Sequence, residues 1–134
     1  MLSLFPILLS YNLAVPFVFR VIVGLIFIFF GHSNLAEHKA SKLAMFERMG
    51  LKSGIVWLWI LVAIEVIGGG LLIVGLWTQA VALVLSSILF LGIIVKIKNG
   101  DSLPWSIGFL SLLFLITISL LFLGPGFYGL DLPL

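Results

Sequence analysis

The sequence predicts an all-α integral membrane protein: a four-helix transmembrane bundle in which residues 1–134 form a single domain. Composition is the first observation behind this. The chain of 134 residues is 63% hydrophobic and 9% charged, with a mean hydropathy of +1.37. Soluble domains run at roughly 45–50% apolar and roughly 25% charged residues, and a chain this small buries only part of its surface. A soluble globular enzyme is therefore excluded. Four apolar stretches, each near the roughly 20 residues needed to cross about 30 Å of hydrocarbon, are the second observation. The third is charge: six of the seven basic residues fall in just two of the connecting segments.

The first stretch, residues 13–31, is entered through Asn12 and Pro16, which suit a first helical turn. The second covers 55–76. The third, 78–95, is short and gains length from Trp77 and Thr78. The fourth, 105–123, stops at Gly124-Pro125-Gly126, a strong terminator. The first dozen residues are apolar but interrupted by Pro6 and Asn12, and they read as an interfacial segment. They lack the basic flank and small-residue cleavage site of a removable leader.

Lys39, Lys42, Arg48 and Lys52 lie in the loop 32–54, and Lys96 and Lys98 in the segment after the third stretch. The positive-inside rule places both segments in the cytoplasm and both termini outside. Trp57, Trp59 and Trp105 then fall at the inner boundary, and Tyr11, Trp77 and Tyr128 at the outer one, as aromatic belts. Within the loop, Leu35, Leu43, Phe46 and Met49 have roughly helical spacing and predict a short amphipathic helix on the inner leaflet. Such a loop serves either as a headgroup-binding connector or as a docking surface for a soluble partner.

Two charges lie inside apolar stretches: Arg20 in the first and Glu65 in the second. Each costs roughly 2.5–3.5 kcal/mol near a helix centre when alone. With the first helix ending at Gly31, Arg20 lies ~3 Å from its midplane and Glu65 close to the middle of its own helix. The expectation is a bidentate Arg20–Glu65 pair. Gly24 and Gly31 follow Arg20 on its face, and Gly68 and Gly69 follow Glu65, with Gly75 close to the same stripe. Small residues there permit close helix approach or leave room for a bound molecule. The pair is accordingly either a structural ion pair or the polar lining of an intramembrane cavity.

Other chemistries find little support. With no cysteine, disulfides, Fe–S clusters and covalent haem attachment are not expected. His32 and His38 lie in or beside the loop, which leaves no bis-histidine haem within the bundle and no expected metal site. Ser86, Ser87, Ser111, Thr117 and Ser119 are expected to bond their own helix backbone. Gly68-Gly69-Gly70 sits within a helical stretch and is no phosphate loop. No nucleophile–base pair or nucleotide fingerprint is present, and no nucleic-acid partner is expected.

Arg20 with Gly24-Leu25, the run Glu65-Val66-Ile67-Gly68-Gly69-Gly70-Leu71 through Gly75-Leu76-Trp77-Thr78, and the tail Gly124-Pro125-Gly126 to Leu130-Asp131 together carry a family resemblance. In these motifs, and in their order, it resembles the DoxX family of small four-helix membrane proteins. It departs at Asn34, where that family often has lysine, and at Gln79, where it often has arginine. The resemblance implies a bacterial or archaeal cytoplasmic membrane and an association with membrane redox chemistry. The function it implies is a quinone-binding subunit working with a partner oxidoreductase at the cytoplasmic loop. Arg20 and Glu65 would be the catalytic residues, and Arg20, Gly24, Glu65, Gly68, Gly69 and Asp131 would hold the quinone. In this reading the tail folds back as a lid, bringing Asp131 near Arg20 or Tyr11. The alternative is a non-catalytic membrane scaffold or assembly factor whose Arg–Glu pair is structural. A bundle this small is expected to associate with itself or with another chain.

Overall fold

The computed structural model describes residues 5–12, 14–37, 39–99, 105–124 and 126. Pro125 and residues 127–134 of the closing motif, Asp131 among them, lie outside the described residues, as does the expected lid. Six helices follow one another: α1 (Pro6–Leu9), α2 (Ala14–Ala36), α3 (Lys39–Arg48), α4 (Gly54–Val74), α5 (Thr78–Asn99) and α6 (Ile107–Leu123).

Three helices, α2, α4 and α5, are long and apolar enough to cross a bilayer, and the protein is an integral membrane protein. The fourth expected span, α6, is apolar but has 17 residues, about 25 Å at 1.5 Å per residue. Large apolar side chains face outward along these helices, among them Leu25, Ile67, Leu91 and Phe122. Such a surface is unfavourable in water and suited to lipid. Inside lie Val23, Phe27, Leu58, Leu72, Leu85 and Leu120, each fully buried. α2 packs most extensively on α4, and α5 on α6.

Local chemistry sets the ends. α4 closes at Gly75, whose φ of 81° is accessible to glycine without strain. The Gly75 N–H bonds to the Leu72 carbonyl and the Leu76 N–H to the Leu71 carbonyl, a Schellman motif. α5 begins three residues later, so α4 and α5 are held together at this turn. α6 starts at Ser106, whose hydroxyl accepts from the Phe109 N–H at 3.2 Å. Lys96 and Lys98 occupy the last turn of α5, where cations complement the helix dipole. The hydroxyls of Ser86, Ser87, Thr117 and Ser119 donate to carbonyls three or four residues back, which satisfies them without a partner helix.

The largest departure from the expected spans is in α2, which continues five residues past Gly31 to Ala36. A Cβ at Gly31 would lie 2.5 Å from Val66 Cγ2. Gly31 is thus where α2 presses against α4, and the helix passes through it. Ser33 and Asn34, placed by sequence in the loop, are buried on α2. The amphipathic helix expected in the loop is α3, with Met45 and Phe46 buried and Leu43 against Gly54 at the start of α4.

Candidate functional site

The crossing of α2 and α4 fixes the depth of every polar residue on them. A Cβ at Gly24 would fall 2.6 Å from the Gly69 carbonyl oxygen, and one at Gly69 equally close to the Gly24 carbonyl oxygen. Two backbones therefore meet at this point, a contact only glycine allows. Gly68 looks the other way, toward Leu85 of α5. Toward the α3 end, Gly31 lies beside Glu65, with 3.7 Å to the Glu65 Cβ.

This register overturns the expected Arg20–Glu65 pair. Arg20 precedes Gly31 on one helix by eleven positions, about 16 Å along the axis, while Glu65 is level with Gly31. No salt bridge joins two described residues. The equal-depth expectation assumed that α2 stops at Gly31. With α2 running to Ala36 its midpoint moves to Leu25, and Arg20 sits near the turn end instead. There its guanidinium lies over the Phe17 ring, 5.3 Å from the centroid. The arrangement expected to hold a quinone between Arg20 and Glu65 is not formed.

Glu65 is buried, at 4% exposure, and its partners come from two other helices. Asn34 of α2 donates from Nδ2 to Glu65 Oε2 at 2.7 Å. Lys42 of α3 faces the same carboxylate electrostatically. Burial holds the Lys42 ammonium below a lysine's ordinary range, and Glu65 offsets this only in part. The hydrogen bond joins α2 to α4, and Lys42 brings a cation of α3 into the field of the same carboxylate without forming an ion pair.

A cavity of about 180 Å³ opens beside it. Asn34, Lys42 and Glu65 form its polar end, and α5 contributes Leu89 and Gly92 to an otherwise apolar wall. Phe27, Phe30 and Trp105 form a ring stack along it, with 5.8 Å between the first two centroids and 4.8 Å between the last two. Sequence reasoning missed Asn34 and Lys42. The first was assigned to a loop, and the second was counted only among the charges that set topology. A signal was present, since no helix breaker separates Gly31 from Ala36. Among the described residues no group of three or more His, Cys, Asp or Glu side chains is placed to hold a metal ion.

The DoxX family model matches residues 15–98, a span that contains Arg20, Asn34, Lys42 and Glu65. No curated protein and no solved structure matches the chain.

Proposed function

The chain belongs to the DoxX family, and on that premise we propose that it is a non-catalytic membrane scaffold or assembly subunit. The observation that carries this reading is the Asn34–Glu65 hydrogen bond, which uses one oxygen of the buried carboxylate to tie α2 to α4, with Lys42 of α3 in the field of the same group. The second buried charge, Arg20, is about 16 Å away along the helix, so the two do not converge on a reacting molecule.

In this reading α6 is the fourth crossing, its shortness met by local thinning of the bilayer. Lys39, Lys42, Arg48, Lys52, Lys96 and Lys98 put the α3 end in the cytoplasm. Met45 and Phe46 bury one side of α3 against the bundle, and Lys39, Ser41, Glu47 and Arg48 are exposed. That charged side is the surface offered to a client protein.

Site-specific photo-cross-linking in cells tests the proposal. A photoreactive residue at Ser41 or Glu47 is expected to give one discrete protein adduct. The same group at Val18, on the lipid face, is expected to give none. Loss of the adduct in Lys42→Met, with the helices still inserted, ties docking to the cluster. Equal labelling from α3 and from the lipid face would overturn the reading.

A further inference from the structure

The cavity beside Glu65 combines two properties that the scaffold reading leaves unused. Its polar end holds unspent hydrogen-bonding capacity. Glu65 Oε2 takes the Asn34 amide, while no described donor reaches Oε1 and no described acceptor binds the Lys42 ammonium. One acceptor and one donor thus face the same space, and their opposite charges balance. The rest of the cavity is apolar, and at about 180 Å³ it exceeds an apolar cavity of about 150 Å³ known to take up benzene.

The cavity is walled by α2, α3, α4, α5 and the start of α6, and it reaches the outer apolar surface at Leu91 of α5, which is 61% exposed. α4 and α5 are joined at the Gly75–Trp77 turn, and away from it, toward α3, they line the cavity with Leu61 and Glu65 on one and Leu89, Gly92 and Val95 on the other. Further along the same two helices lies a groove of about 340 Å³, walled by apolar side chains and Gly68. A polar, charge-balanced end and an apolar track along one helix pair together match an amphiphile entering from the bilayer.

We infer that this cavity is a binding site for a single-chain lipid amphiphile with an uncharged, hydroxyl-bearing head. The hydroxyl donates to the free oxygen of Glu65 and accepts from Lys42, and the chain lies against Phe30 and Leu61 toward the apolar groove. A head carrying net negative charge would face the Glu65 carboxylate in a site that is already neutral. The inference does not rest on the scaffold reading, since it concerns the interior of the bundle and not the exposed side of α3.

Trp105 lines the cavity and serves as the reporter. The full chain with Trp57→Phe, Trp59→Phe and Trp77→Phe, reconstituted in nanodiscs, is titrated with 2-bromohexadecan-1-ol, whose bromine quenches indole on contact. The expected result is saturable quenching at about one alcohol per chain. Lys42→Met should weaken half-saturation roughly tenfold, the scale of a lost hydrogen bond to a charged group. Gly92→Leu, which adds bulk to the wall, should abolish saturation. Should Gly92→Leu not fold, Lys42→Met alone decides. Quenching that rises linearly with mole fraction and is the same in the variants would show contact with bulk lipid only and overturn the site. Tighter saturation by ionised 2-bromohexadecanoic acid than by the alcohol would overturn the assignment of the head.

Discussion

The two ends of this small bundle are built on different principles. At the turn end α2 and α4 touch backbone to backbone through Gly24 and Gly69, and a Schellman turn clamps α4 to α5. At the α3 end the helices surround a cavity, where an amide–carboxylate hydrogen bond ties α2 to α4 and the Lys42 ammonium of α3 lies in the field of the same carboxylate. The first end is held by steric fit and has no room for exchange. The second is held by polar contacts that a ligand or a substitution can rearrange. Stability and adaptability are thus divided along one axis of one bundle about six helical turns deep, and the Gly31 contact marks where one gives way to the other.

The sharpest way to break this contrast is at the glycines. Gly69→Leu places a side chain into the Gly24 carbonyl, and backbone cannot move aside as a flexible side chain does. We expect loss of the folded, monodisperse protein in detergent, beyond the about 1–3 kcal/mol of ordinary overpacking. Gly70→Leu, one residue on, has nothing within 4 Å of its added Cβ and should leave the elution profile and melting temperature unchanged. Equal damage from both would mean that the crossing is not the keystone of this end.

The polar end should respond more mildly. Asn34→Leu removes the hydrogen-bond donor from buried Glu65 and should cost about 1–3 kcal/mol, read as a lowered melting temperature. Glu65→Leu in the same background should recover part of that loss, because the unpaired group is then gone. A cycle showing no coupling between the two positions would separate them. Asn34→Lys should let Glu65 pair within the α2–α4 interface. Lys42→Met, which removes a buried cation, should stabilise the native background slightly and should stabilise it further once Asn34→Lys places a second cation beside Glu65. Asn34 occupies the position at which the family resemblance expects lysine, so this swap asks whether α3 supplies the cation that α2 lacks.

The smallest effect is a pH dependence confined to α3. Burial lowers Lys42 below the ordinary 10.5, so between its lowered value and 10.5 the unfolded chain holds a proton that the folded chain has released. Stability therefore rises with pH across that window. Below the window, both states carry the proton and the full burial penalty is felt. Protection of α3 amides from hydrogen exchange, corrected for intrinsic rates, should increase as pH rises through the window. Lys42→Met should flatten that dependence, while α2 and α4 should show none of it.

Much of the architecture was legible in the sequence, because apolar length is a direct consequence of bilayer thickness. All four expected stretches correspond to helices, although α6 falls short of a full crossing length. The polar partners were not legible, for one physical reason. Gly31 looked like the end of a helix, whereas in a membrane protein a glycine on a packed face marks close approach. That single choice shifted the centre of α2 by about three residues, made Arg20 and Glu65 appear level, and put Asn34 in a loop. Lys42 was hidden differently: a lysine in a connecting loop is a topology signal by default, and only the folding of α3 onto α4 turns it inward.

The cluster has a further consequence for how the chain is made. Both partners of Glu65, at positions 34 and 42, are synthesised before it. When α4 leaves the ribosome and seeks the bilayer, the amide and ammonium that relieve its carboxylate are already waiting, with no need for α5 or α6. A charge that would cost roughly 2.5–3.5 kcal/mol to insert alone thus enters a half-built protein in which its place is prepared. Order along the gene becomes order of assembly: the charge arrives last, after the groups that make it tolerable.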